Sequence, residues 1–500
     1  MNTAIQSREI AAPPRLAADS RVSARSPVPY IAFLAVFFLT SLPLVNPWVR
    51  GDGVGYYAYL RAIMIDRNLH FDKDWLGANP SFRQGRVDDS GHLFPDQYAP
   101  TGYVRNHFAI GPSILWAPFL FPVHAIVLLA DHLGAHIAAN GYSRPYLVAM
   151  ATSTALYGFA GLLLAFDLAR RYAAERWAFL AVLGLWFASA LPVYMYFNPS
   201  WSHAQSAFGV ALFLWYWQRT RPSRSPRQWL ILGLAAGLMI DIYYPNVILL
   251  LVPGLEGLTE YREALRPGAR ATLRWSALLG EHALFLAATA IMMLPIFVTR
   301  QIIYGRPLEF GYPSVTTWSW ASPALLRILF SSDHGMLSWT PILIPAMLGL
   351  IVLYRRDRLF GGGLLLALLA YYYFIASYPD WDGISSFGNR FFVSLTPVFV
   401  IGLAAALDWL ARWWKNPRQY LAAASAAIAL MVLWNFGLIF QWGTQLIPSR
   451  GPISWSAVVH NQYAVVPVRI VGSLEAYFLH RGGMMQHIES QDLERLRPGQ

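Results

Sequence analysis

The residues best placed to do chemistry follow the first apolar run of the chain. Arg50-Gly51-Asp52-Gly53-Val54-Gly55-Tyr56-Tyr57 sets one carboxylate between glycines, and Asp72-Lys73-Asp74-Trp75 comes some way behind it. The glycines leave the backbone open to close approach by a ligand, and a carboxylate held there is a candidate proton acceptor. Tyr56, Tyr57, Leu60, Ile63 and Met64 recur at helical spacing, with Arg61, Asp66 and Arg67 off that stripe. The pattern predicts a short amphipathic helix lying on a membrane surface. Asp52 then sits near the N-terminus of this helix, where the free NH groups stabilise an anion. The plainer reading makes Asp52 a helix cap.

Arginines supply the complementary chemistry, because the guanidinium fork can bind two oxygens of one phosphate. Arg390, directly before a later apolar run, is the first candidate, and Arg105 with His107 is the second. The plainer readings are an arginine snorkelling to the interface and residues of a solvated loop. Tyr56, Tyr57, His203, Asp241, His334, Asp380 and Asp382 are candidates for the walls of a cavity or for acceptor contacts. His203 opens a span behind Asn198-Pro199, and Asp333-His334 precedes another. Asp241 lies in an apolar stretch, where a carboxylate is expensive unless paired or wet. The chain has no thiol, and Asp72 and Asp74 are carboxylates at coordinating spacing. No cofactor is predicted; a divalent metal is not indicated and stays an open option.

The elements that must position these residues follow from composition. Hydrophobic residues make up 56% of the 500 and charged ones only 13%, against about 25% charged in soluble domains. Too few polar residues remain to coat a soluble core, and apolar runs near the length of a bilayer crossing recur from residue 30 to about 440. The class is an all-α polytopic membrane protein. The net charge of +11 is spread in short arginine groups between the runs, which is how topology signals are distributed, so nucleic acid is not an expected partner. Zero cysteines exclude a disulfide framework and thiolate chemistry. Asn79 and Asn198, the only asparagines at the spacing of glycosylation sequons, are each followed by proline, in keeping with a bacterial source.

Residues 1–29 read as a disordered cytoplasmic tail, 30–441 as a transmembrane module and 442–500 as a periplasmic tail. Basic groups around Arg170, Arg221, Arg262, Arg355 and Arg412 act as cytoplasmic markers. Spans at 30–46, 145–168, 177–196, 203–218, 228–241, 243–258, 276–299, 336–353, 359–377, 391–411 and 420–440 then give about eleven crossings. This topology puts the N-terminus inside, the C-terminus outside and a long first periplasmic loop at 47–144. The stretch 108–130 is apolar enough to span, but counting it would put Arg170 and Arg171 outside. Pro112, Pro118 and Pro122 break helices, so it is read as interfacial or re-entrant. The pair 228–258 is short for two crossings, and Asp241 and Pro245 at its apex predict broken helices.

A span, an outward Asp52, a helix of the form Asp-x-x-x-Tyr-x-x-x-x-Arg, and an Asp-Trp beyond it resemble the opening of GT-C glycosyltransferases. Asn106-His107-Phe108-Ala109-Ile110-Gly111-Pro112, Gly335-Met336-Leu337-Ser338-Trp339-Thr340-Pro341, and Asp380-Trp381-Asp382-Gly383 before Ser386-Phe387-Gly388-Asn389-Arg390 extend the resemblance. It lies nearest the protein O-mannosyltransferase and aminoarabinose-transferase-like branch. The resemblance implies a polyprenyl-phosphate sugar donor, inversion, and an acceptor that is lipid, glycan or protein, at the periplasmic face of the bacterial inner membrane. It places the general base at Asp52 and the donor phosphate near Arg390, Arg105 and His107. That branch commonly carries an acidic pair where this chain has Asp52-Gly53, so Asp72 or Asp74 is a candidate for the second acid. Two rivals stand beside this reading. A lipid-linked-glycan polymerase or ligase usually concentrates its polar chemistry in a later outer loop, and a flippase would show paired repeats and polar midplane residues.

Overall fold

The computed structural model describes residues 27–221, 223–265 and 271–496. Helices dominate, because inside a bilayer every backbone NH and CO must be bonded within its own segment. Among the described residues, bridged pairing is confined to Val87 with Leu93 and Tyr98 with Val104. Residues up to Thr40 form a unit of their own, whose described part is most of the apolar helix Val28–Ser41. The expected tail falls outside the described residues up to position 26, and so do Arg266 and Arg270.

Among the described residues, six helices are long and apolar enough to cross a membrane: Gly111–His132, Arg144–Ala169, Trp275–Met292, Arg358–Ser377, Arg390–Ala411 and Pro417–Gly443. Five of them coincide with predicted crossings. The remaining predicted crossings within residues 41–500 are shorter, interrupted or less apolar helices, among them Glu175–Phe187, His203–Thr220, Pro226–Ile242 and Leu343–Arg356. The break expected at Asp241 and Pro245 is present. Tyr243 is extended, and a 3-10 turn, Tyr244–Leu250, leads into the helix Leu251–Ala264.

Two expectations need correction. The prolines do not break the stretch 108–130, which forms one 22-residue helix, Gly111–His132. Pro112 occupies the first turn, where its missing NH costs nothing. Pro118 and Pro122 lie four residues apart and are both exposed, so they share the face turned away from the protein. This helix runs antiparallel to the start of Arg144–Ala169, with Trp116 bonded to Thr154 (2.8 Å) and His124 to Tyr146 (2.6 Å).

The second correction concerns the helix after the first apolar run. Asp52–Arg61, continued by a π turn to Asp66, is not a surface helix, since Gly53 to Arg61 are all buried. Burial of its polar side is made tolerable by Arg61, whose guanidinium Nε donates to Asp74 at 2.7 Å and whose other nitrogens reach Asp74 and Asp66. Around it the first loop folds into a body with its own apolar core. Val54, Tyr59, Phe71, Trp75, Phe82 and Val104 pack there against Ile296 and Ile303 of the helix Leu294–Tyr304.

The C-terminal segment, expected as a tail, is helical. Val466–Leu479 and Arg481–Leu496 fold back against the first loop. Asp492 pairs with Arg50, Glu489 accepts from the Ser81 NH at 2.5 Å and from Asn79 at 2.9 Å, and Tyr477 donates to the Leu44 carbonyl at 2.6 Å.

Removing Asp74 takes two hydrogen bonds from the buried Arg61 and leaves it Asp66 as its one remaining carboxylate. Asp74→Ala is therefore expected to cost about 3–5 kcal/mol of stability. Asp72→Ala should cost at most about 1 kcal/mol, because the Asp72 carboxylate is 37% exposed. Thermal unfolding of the detergent-solubilised protein checks both, and equal losses would refute the buried role of Asp74.

Candidate active site

A cavity of about 1300 Å³ opens among the first loop, the loops before the later helices and the C-terminal helices. Its apolar lining includes Val247, Phe310, Phe374, Leu433, Phe440 and Leu474. Its polar lining gathers Asp52, His107, His203, Arg86, Asp380 and Arg390. Few convergent polar groups in a mostly apolar hollow is the usual make-up of a ligand site.

Asp52 is the first residue of its helix. Gly51 before it adopts φ 53, a conformation that suits glycine, and an ideal Cβ there would come within 3.0 Å of the Trp201 ring. At Gly53 and Gly55 a Cβ would collide with Ser200 (2.0 Å) and Phe108 (1.9 Å). The glycines that drew attention as an approach for ligand are thus, at these three positions, an approach for the protein's own side chains.

The Asp52 carboxylate meets Arg390 Nη2 at 3.0 Å, and the two side chains keep 30% and 11% of their exposure. Trp201 lies beneath the pair. Its ring centroid is 4.5 Å from the Arg390 guanidinium carbon, a cation–π contact, and its indole NH donates to the Arg50 carbonyl at 2.9 Å. Trp201 thereby holds both chain segments that carry the pair. Arg390 Nε is buried without a partner.

His107 also faces the cavity, packed against Phe108 and Tyr312. Burial pushes its imidazole down to about 4, opposed by Asp52 and aided by Arg300 and Arg86. At neutral pH it offers a hydrogen bond to a ligand and no charge. Its segment is fixed by Arg300, which is fully buried and bonds the carbonyls of Asn106, His107 (3.1 Å) and Phe108 (2.6 Å) and the Tyr244 hydroxyl (2.6 Å).

The other predicted residues divide. Tyr56, His203 and Asp380 line the cavity. Arg105 does not: it is exposed and donates to the Tyr98 carbonyl at 3.0 Å, because it points outward between the buried Val104 and Asn106. Arg86 of the same loop lines the cavity instead. Its guanidinium lies over the Phe82 ring at 4.4 Å, burial and Arg450 hold its pKa below the usual arginine range while Asp52 opposes them, and no ion pair to it is found among the described residues. Asp72 accepts from Tyr98 at 2.8 Å and Asp74 is spent on Arg61 and Tyr142, so neither joins Asp52. Tyr57 points to the Gly141 carbonyl, 2.5 Å away, between Trp116 and Tyr142. Asp241 is fully buried with both oxygens unpartnered and does not line the cavity. His334 and Asp382 come together with Asp333 instead, with one donor atom from each within 4.8 Å of the others. Sequence spacing had shown no such grouping. Trp201, Arg86, Arg300 and Asp492 escaped the sequence reading, since only tertiary folding marks them.

Unfolded His107 takes up a proton near pH 6.5 and folded His107 only near pH 4. The unfolded state therefore binds more protons between these values, and stability falls as pH drops through that window. In His107→Gln the loss between pH 6.5 and 4 should be shallower in a denaturation series. An unchanged slope would mean a solvated imidazole.

No family model matches the chain, and no curated protein matches it. Among solved structures it is similar to ArnT from Cupriavidus metallidurans bound to undecaprenyl phosphate, at a TM-score of 0.44 and 16% identity over 86% of this chain and 74% of that one. It is also similar to the oligosaccharyltransferase AglB from Archaeoglobus fulgidus in complex with an inhibitory peptide and a dolichol-phosphate, at 0.47 and 14% over 85% of this chain and 56% of that one. The apo form of the Archaeoglobus fulgidus oligosaccharyltransferase gives 0.48 and 15% over 89% and 59%. The chain thus spans somewhat over half the length of the oligosaccharyltransferase.

Proposed function

We propose that this chain is an integral-membrane glycosyltransferase of the GT-C type. It moves a sugar from a polyprenyl-phosphate donor to a lipid, glycan or protein acceptor on the periplasmic side of a bacterial inner membrane. The observation that carries this reading is the Asp52–Arg390 pair, 3.0 Å apart, set in the wall of a large cavity whose other lining is mainly apolar. Such a transfer needs a base for the acceptor hydroxyl at the anomeric carbon and cations for the phosphate that departs.

Asp52 serves as the base, and Arg390 with Arg86 takes the phosphate. In the free enzyme the two roles are engaged with each other. A donor phosphate arriving at Arg390 competes with Asp52 for the guanidinium, and the displaced carboxylate is then free to accept a proton. Binding of donor and readiness of the base are coupled by one shared cation. The apolar walls take the prenyl chain, and desolvation there strengthens every charge interaction at the reacting centre.

Purified protein given a polyprenyl-phosphate sugar should release polyprenyl phosphate. Asp52→Asn should lower the rate by about 10²–10⁴-fold with donor binding kept, and Arg390→Ala should weaken donor binding by about tenfold or more. Full activity in Asp52→Asn would remove the base assignment, and unchanged donor affinity in Arg390→Ala would leave that arginine a purely structural part.

A further inference from the structure

The C-terminal chain docks on a membrane-crossing helix well short of that helix's end. From Trp455 to Leu479 it is helical without a break, with one π turn at Asn461–Val465. The Gln462 side chain enters the space that Gly437 leaves open on the span Pro417–Gly443, where a Cβ would lie 2.0 Å from Gln462 Nε2. That nitrogen reaches the carbonyl oxygens of Trp434 at 3.4 Å and Leu433 at 3.5 Å, and Gln441 Nε2 donates to Gln462 Oε1 at 2.9 Å. Polar side chains bonded across two helices are a common glue of packing inside membranes.

The depth of this contact follows from helix geometry. Leu433 and Trp434 lie about 14 Å along the axis from Gly443, at about 1.5 Å per residue. The span has 27 residues, so it is about 40 Å long against about 30 Å of hydrocarbon. With all of that excess assigned to the Gly443 end, the two carbonyls still lie inside the hydrocarbon. Helix Val466–Leu479 then shows two apolar faces. Val466, Ile470 and Leu474 line the cavity. Val468, Val471 and Leu479 share the opposite face by helical spacing and are 80%, 72% and 70% exposed. Between Tyr463 and Leu474 the one charged residue is Arg469, whose long stem can carry its charge to the headgroups. Glu475 follows where the helix nears its far anchor, the bond from Tyr477 to the Leu44 carbonyl.

We propose that Trp455–Leu479 is embedded in one leaflet of the bilayer, the periplasmic one under the function proposed above, and that lipid acyl chains cover its outer face. The helix is then a side wall of the cavity, one helix thick, between the polar site and the hydrocarbon. In water, side chains so exposed would form an apolar patch of the kind soluble surfaces avoid. This placement stands whether or not glycosyl transfer is the activity.

The chain has no cysteine, so single cysteines report without background. Val468→Cys, Val471→Cys and, as a reference at an exposed position of the last helix, His487→Cys are made in the full chain, spin-labelled and reconstituted in phosphatidylethanolamine–phosphatidylglycerol nanodiscs. Oxygen, which concentrates in hydrocarbon, should relax the labels at 468 and 471 more strongly than water-soluble nickel–EDDA does, with the order reversed at 487. Nickel dominance at 468 and 471 would put the helix in water. Exclusion of both relaxants there would mean that protein, such as a second copy of this chain, covers the face. Either result overturns the proposal. Should spin labels disturb the fold, unlabelled variants in intact membranes give the second readout. A charged maleimide should spare positions 468 and 471 and modify 487, and all three should react once the protein is denatured. Equal modification before denaturation would overturn the proposal too.

Discussion

The arrangement depends on a carboxylate and a guanidinium being held face to face in the wall of a cavity, the guanidinium largely out of water and the carboxylate half-buried. Taking both charges out of water is costly, and their attraction repays it only with good geometry and further bonds. The rest of the local structure supplies that geometry. Gly51, Gly53 and Gly55 let the Asp52 helix sit against Trp201, Ser200 and Phe108 without side chains in between. Trp201 presses on the guanidinium from below and ties the Arg50 carbonyl by its indole NH. Arg300, reaching across from Leu294–Tyr304, fixes the carbonyls of Asn106 to Phe108 on the far side.

What could be read from sequence was the part that local pattern controls. Apolar runs declared the helical membrane class. The glycines marked Asp52, and the position of Arg390 before an apolar run marked the cation. The failures share one cause. A stripe of apolar residues is the same whether it meets lipid or protein, so Asp52–Arg61 was assigned to a surface although its arginine is buried on Asp74. Arg105 and Arg86 are both arginines of one loop, and nothing in their neighbours says which one the fold turns inward. Proline arithmetic overstated the break at 118 and 122, because two prolines on one outward face leave the inner face able to bond.

The C-terminal helices enlarge this lesson. From sequence, 442–500 was a tail; in the fold it supplies Val466, Ile470, Leu474, Tyr477 and Asp492 to the cavity. Its polar contacts reach the first loop at Arg50, Asn79 and Ser81 and the chain just before it at Leu44. The chain's two outer ends of sequence therefore close one hollow, and the carboxylate of Asp52 lies two residues from a latch made by Arg50 and Asp492. No local signal announces such a closure, since each partner alone is an ordinary charged residue of a polar segment.

Two arginine–aspartate pairs in this chain show why one is structural and the other suited to chemistry. Arg61 and Asp74 are saturated: the guanidinium meets Asp74 through two nitrogens and Asp66 through a third, Tyr142 fills a further acceptor position, and the side chains are 4% and 0% exposed. Nothing remains there for a ligand. Arg390 and Asp52 share a single contact, Arg390 Nε lacks a partner, and both residues line the cavity. An ion pair kept only for stability is readily matched or bettered by apolar packing, so an incomplete pair facing a hollow is poorly accounted for by stability. Its unused bonding capacity is what an incoming phosphate would need. The difference between the pairs lies in satisfaction, not in residue type.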